Sequence, residues 1–264
     1  MRRAAAPRRL LNARVAGPPD ERAARSYDAP VDLDLVLLDA GNTVIFLDHD
    51  AVADIVTSHG HTVDARVLAQ NEGHAKRHYE RLLGAGVSHE EGWGLHLRAL
   101  LESAGLGPEA AREMVPPLRR AHDAFNLWRL VPGDLLPALA RIRGLGFRVG
   151  IVSNSEGRLP EVFSRVGLGD AFELIVDSHF EGVRKPDPEI FRRALSRLGV
   201  EPSRAVYLGD IPGVDVAGAH AAGMKAVLVD ALGFYLDHGA SPRVESVAAF
   251  VERYVEGPRR VRVF

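Results

Sequence analysis

The 264 residues carry 33 Lys and Arg against 35 Asp and Glu, a formal net charge of −2, with 46% hydrophobic and 26% charged side chains and no cysteine. This is an ordinary globular balance, with apolar material for one fair-sized domain plus a smaller one, and it gives no global reason to expect nucleic acid or an acidic membrane surface as partner. The missing cysteine excludes disulfides, thiolate metal sites and thiol nucleophiles, and no apolar run approaches the roughly 18 residues of a membrane-crossing helix, so a soluble, cytoplasmic chain is expected.

Residues 1–30 are rich in arginine and alanine, are broken by Pro7, Pro18, Pro19 and Pro30, and show no apolar period. They read as a disordered tail. A transit peptide is the alternative, since no acid precedes Asp20, but such peptides are serine-rich and only Ser26 is present here. The run Leu35-Val36-Leu37-Leu38 is continuously apolar and stops at Asp39-Ala40-Gly41-Asn42-Thr43, the pattern of a strand buried on both faces and followed by a tight polar loop.

From residue 48 to 129 the pattern turns helical, with amphipathic stretches over 64–83, 90–103 and 108–125, the last expected to kink at Pro116-Pro117. Eight of the 11 histidines fall in this block. His74 and His78 are four apart and share a helix face, as zinc ligands can, but no third ligand accompanies them. Only Lys76, Lys185 and Lys225 are lysine; Lys76 is expected on a solvated helix face, and Trp93 and Trp128 as packing residues or pocket lining.

Beyond the block, short apolar runs at 147–152, 174–176, 205–208 and 226–229 alternate with helical spacing over 133–145, 157–166, 188–198 and 214–222. Strands alternating with helices of this length predict an α/β fold: a Rossmann-like parallel sheet with helices on both faces. The core is expected over 31–47 and 130–264, with 48–129 inserted as an all-helical second domain.

Ligands of an open parallel sheet bind beyond the carboxyl ends of its strands. Asp39 follows the first run, Ser153-Asn154-Ser155 the second, and Gly209-Asp210 the fourth, with Asp215 close behind; Lys185-Pro186 precedes the helix that leads to the fourth. Three acids, a hydroxyl and a lysine distributed over converging strand ends are hard to dismiss as caps and loop residues. Taken in order, these four groups resemble the motifs of the haloacid-dehalogenase-like hydrolases, and the inserted helical block resembles that family's cap.

The resemblance implies a hydrolase acting through an aspartyl nucleophile, Asp39, on a small phosphorylated metabolite. It implies Mg²⁺ held by Asp39, Asp210 and the Gly41 carbonyl, with Asp215 as a further ligand or an orienting group. Ser153, the Asn154 N–H and Lys185 would hold the phosphoryl oxygens, and Thr43 would fix the loop and the Asp39 rotamer by hydrogen bonding. One position departs from the pattern. Phosphatases of the family usually carry a second aspartate two residues after the nucleophile as general acid, a function worth roughly 10²–10⁴ in rate, and this chain has Gly41 there.

Four explanations fit Gly41. The leaving group needs no proton, as in an acyl phosphate; a cap residue, or Asp48, His49 or Asp50, supplies it; the reaction is a dehalogenation; or the site binds a phosphorylated ligand without turnover. Asp210 argues against the dehalogenase, which needs no metal carboxylate. A Schiff-base lysine, as in the related phosphonate-cleaving group, would have to be Lys76.

Overall fold

The computed structural model describes residues 31–85, 87, 89–235 and 242–262; the expected N-terminal tail lies outside them. Among these residues one six-stranded sheet dominates, ordered Leu174–Asp177 (β6), Arg148–Ser153 (β5), Leu35–Leu38 (β2), Ala205–Gly209 (β7), Lys225–Val229 (β8) and Arg243–Val244 (β9). Every pairing in it is parallel.

All four side chains of β2 are fully buried, and their alternation decides the layers. Val36 and Leu38 point into one core, Leu35 and Leu37 into the other. The first is closed by Leu135–Gly144 (α5), Leu159–Arg165 (α6) and Val247–Tyr254 (α10), through residues such as Leu139, Phe163 and Phe250. Pro188–Leu198 (α8) and the short Ala217–Ala221 (α9) close the second. Each fully buried Leu or Val contributes on the order of 1.5–3 kcal/mol, so a four-residue strand shared by two cores is a strong anchor.

Local signals explain α8 well. The Asp187 side chain accepts from the Glu189 N–H at 2.9 Å, Pro188 opens the helix, and Gly199 ends it at φ 61°. The region expected as one helix over 214–222 is a π-turn at Pro212–Val216 running into α9. A small antiparallel sheet of Val31–Asp32 (β1), Arg260–Val261 (β11) and Val255–Gly257 (β10) was not visible in the sequence pattern, because its strands are too short to show a period.

Residues 48–127 form His49–Ser58 (α1), Ala65–Gly84 (α2), His89–Ser103 (α3) and Pro108–Ala124 (α4), the last three within a residue or two of the expected bounds. A single helix, α4, runs through Pro116 and Pro117. The four helices bury their own cluster, including Val52, Leu68, Leu97, Leu101, Met114 and Leu118. The chain enters this block through Phe46–Leu47 (β3) and leaves it through Trp128–Leu130 (β4), which pair antiparallel.

Candidate active site

At the carboxyl ends of β2, β5 and β7 the expected residues meet. One oxygen each of Asp39, Asp210 and Asp215 lies within 4.8 Å of the others, and all three residues are buried. Lys185 is the hub: its Nζ donates to Asp39 Oδ1 at 2.7 Å, to Asp215 Oδ1 at 2.6 Å and to the Tyr207 hydroxyl at 2.8 Å. Tyr207 in turn donates to the Val152 carbonyl at 2.7 Å. The Asn154 side chain grips the lysine's backbone at both ends, donating to Lys185 O at 2.9 Å and accepting from Lys185 N at 2.8 Å.

Asp215 has both oxygens committed, one to Lys185 and Oδ2 to the Ile211 N–H at 2.8 Å. Asp215 thereby ties the lysine to the 211–215 turn while remaining one of the three acids whose oxygens converge. Burial pushes the Asp39 carboxyl up, opposed by Lys185 and by the neighbouring Ser153 hydroxyl. Burial likewise pushes Asp210 up to about 7, against the pull of Lys76. Lys185, despite complete burial, is raised by the charges of Asp215 and Asp39.

The cluster forms the floor of a cavity of about 700 Å³ whose walls include Gly41, Ser153, Asn154 and Lys185. The helical block supplies its roof, with Lys76, Tyr79, Trp93, His96 and Arg119. Both tryptophans therefore line the cavity, as does Gly41, where an added Cβ would meet nothing nearer than Trp128 at 3.7 Å.

Several expectations are corrected. Lys76 is not solvated: it is 5% exposed, and its Nζ lies 2.7 Å from Asp210 Oδ2 and 2.8 Å from the Asp210 carbonyl. The helix period is right, but the face carrying Lys76 is covered by the core rather than by water. Thr43 is buried, is not part of the cavity wall, and its hydroxyl has no hydrogen-bond partner among the described residues, so it does not fix Asp39 by hydrogen bonding.

Asp48, His49 and Asp50, expected as possible replacements for the missing general acid, lie outside the cavity wall. Asp48 caps α1 through the Ala51 N–H and pairs with Arg129 at 2.8 Å, and His49 lies 2.9 Å from buried Glu72. His74 packs on Phe234, and the three-acid group is the one candidate metal cluster among the described residues.

The sequence reading missed Tyr207, Tyr79, His96, and the contact of Arg119 with Glu156 at 2.8 and 2.9 Å, which joins the helical block to the loop after β5. Burial lowers His96, so its imidazole is neutral at neutral pH. One signal was present. With only three lysines in an arginine-rich chain, the surviving lysines were candidates, and two of the three line this cavity.

The haloacid dehalogenase-like hydrolase family model matches residues 33–223. The chain belongs to this family of hydrolases. It is 29% identical over 209 residues to haloacid dehalogenase-like hydrolase domain-containing protein 3 of Bos taurus, covering 75% of this chain and 82% of that protein. It is 40% identical over 134 residues to a phosphoserine phosphatase of Thermus thermophilus, and 35% identical over 135 residues to a glyceraldehyde 3-phosphate phosphatase of Methanopyrus kandleri. Those matches cover 50% and 51% of this chain, and it spans about half the length of those two phosphatases, 52% and 58%. Among solved structures, the magnesium-bound HAD-hydrolase YfnB of Bacillus subtilis superposes with a TM-score of 0.65 at 17% identity, over 84% of this chain and 98% of that one. A dehalogenase shares the fold with a TM-score of 0.59 at 20% identity, over 84% of this chain and 97% of that one.

Proposed function

We propose that the protein is a Mg²⁺-dependent phosphatase acting on a small phosphorylated metabolite through an aspartyl-phosphate at Asp39, with residues 48–129 as its cap. The observation that carries this reading is the buried convergence of Asp39, Asp210 and Asp215, with Lys185 paired to the first and third and Lys76 to the second, beneath the helical block. The donor set fits the ion: Asp39 and Asp210 each pair with a lysine through one carboxylate oxygen and carry a second, and Mg²⁺ prefers such hard oxygen ligands. Asp39 and Asp210 would hold it with the Gly41 carbonyl, and when bound it would neutralise charge between the nucleophile and the phosphoryl group.

The protein's own residues do the rest. Asp39 has one oxygen fixed by Lys185, which leaves the other to attack phosphorus. The P–O bond to the leaving group breaks with its electron pair on the departing oxygen, and water later cleaves the acyl phosphate to regenerate the carboxylate. Ser153 and the Asn154 N–H hold the non-bridging oxygens as charge builds on them, and the Lys185 ammonium, whose three N–H groups go to Asp39, Asp215 and Tyr207, adds its positive charge beside them. The roof residues exclude bulk water, which strengthens each of these interactions. The Thermus and Methanopyrus relatives, both named as phosphatases, favour phosphate as the group transferred.

Release of phosphate from an aryl phosphate, lost in EDTA and restored by Mg²⁺, is the expected result. Gly41 sustains two other readings, and the same assay separates them. Tight phosphate-ester binding without turnover would make this a binding protein, and chloride release from 2-chloropropionate in EDTA would make it a dehalogenase.

Asp210 gives a pH signature. Its folded value of about 7 exceeds its ordinary 3.8, so the folded state binds this proton more tightly than the unfolded chain does. The group therefore favours folding at low pH, and its contribution declines as pH rises from about 4 to about 7. Thermal melts of metal-free wild type and Asp210→Asn should diverge across that window, the variant becoming relatively more stable as pH rises. A constant difference would mean that Asp210 titrates normally.

A further inference from the structure

Five Lys and Arg side chains line the cavity, and four of them are engaged. Lys76 pairs with Asp210, Lys185 with Asp39 and Asp215, Arg119 with Glu156 and Asp123, and Arg158 with Glu161. Arg184 is different. It is exposed on the cavity wall, and no acid among the described residues pairs with it.

Its backbone is nevertheless fixed. The next residue, Lys185, is clamped at both N and O by Asn154, and the Arg184 carbonyl accepts from the Asp187 N–H at 3.0 Å. The guanidinium thus springs from a rigid turn beside the catalytic lysine, and its charge acts on the Tyr79 phenol of the roof. It lines the same cavity as Ser153 and Asn154 on the floor and Tyr79 on the roof.

We propose that Arg184 is a specificity-determining residue that receives a second anionic group, a carboxylate, on the organic part of the phosphate ester. This rests on the phosphatase reading and narrows its substrate class to phosphorylated hydroxy or amino acids. The argument is one of charge and shape. Lys185, Ser153 and Asn154 already address the phosphoryl oxygens, so a further unpaired cation on the wall is surplus to that group. A guanidinium presents a planar fork that matches a carboxylate's two oxygens. The other guanidiniums of the wall cannot take this part without first surrendering their own carboxylates.

The test compares two esters that differ in one group: 3-phosphoglycerate, which carries a carboxylate, and glycerol 3-phosphate, which carries a hydroxymethyl in its place. Equilibrium binding is read from the fluorescence of Trp93 and Trp128, which line the cavity, so no turnover is needed. Wild type should bind 3-phosphoglycerate about tenfold more tightly, the worth of a charge-assisted contact in a partly solvated site. Arg184→Gln should erase most of that preference, and Arg184→Lys should keep part of it. Equal affinities in wild type, or a preference unchanged in Arg184→Gln, would overturn the assignment. A preference that is present without any release of phosphate would count against the phosphatase reading alone.

Discussion

Asp39→Asn should abolish phosphate release while leaving the fold as stable as before or more so. An amide oxygen is a poor nucleophile toward phosphorus, and loss of a covalent nucleophile typically costs about 10⁴-fold or more in turnover. Stability moves the other way. The Asp39 carboxylate is buried, with its pKa raised chiefly by that burial, so its charge is held at a cost. Lys185 keeps Asp215 at 2.6 Å and the Tyr207 hydroxyl at 2.8 Å after the substitution. Two measurements decide the matter: steady-state phosphate release, and a thermal melt of each protein. Substantial residual turnover in Asp39→Asn would remove the aspartyl-phosphate route. A large fall in melting temperature would mean that Asp39 is chiefly a structural partner of the lysine.

Lys185→Met should damage both properties. Lys185 is 4% exposed and its ammonium is shared by two carboxylates, so its removal leaves Asp39 and Asp215 facing one another without a countercharge. Breaking a buried pair in this way costs about 3–5 kcal/mol, which for a domain of this size lowers the melting temperature by roughly 10 °C. The deficit should shrink on acidification, since protonating either acid relieves the repulsion. In wild type the sign is set by the lysine. Its folded pKa lies above the ordinary 10.5, so its contribution is complete below that value and is lost only in strongly alkaline solution. Melts of both proteins at pH 5 and pH 8 check this directly. A variant that melts within a degree or two of wild type at pH 8 would show that the three-acid cluster does not need its central cation. Activity should fall by about 10²–10³-fold, as expected for loss of a preorganised charge at the transferring group.

The parts of the molecule legible in the sequence are those whose physics is local. Leu35–Leu38 is a continuous apolar run because both of its faces are covered, and α8 announces itself through Asp187, Pro188 and Gly199. The site followed from the same logic. Acids that end buried strands of one parallel sheet must come together at one edge, and Asp39 and Asp210 do. What escaped the sequence depends on pairing between distant segments. Lys76 sits 134 residues from Asp210, and nothing in its helix distinguishes a face turned to water from one turned to the three-acid floor. Thr43 failed for a related reason: its proximity to Asp39 in sequence implied a hydrogen bond that the loop's path does not make. The short strands β3 and β4 carry no period of their own and exist only because each has the other beside it.

That two-stranded ladder has a consequence for how the protein's selectivity can change over time. Phe46 pairs with Leu130 and Leu47 with Trp128, so the points where the helical insert departs and returns stand side by side, about one strand spacing apart. An insert with adjacent ends can be exchanged or lengthened as a unit without shifting the register of the parallel sheet. The three-acid floor and the helical roof above it can then vary as separate stretches of chain, covalently joined at this one seam and held together elsewhere by side-chain pairs such as Lys76 with Asp210 and Arg119 with Glu156.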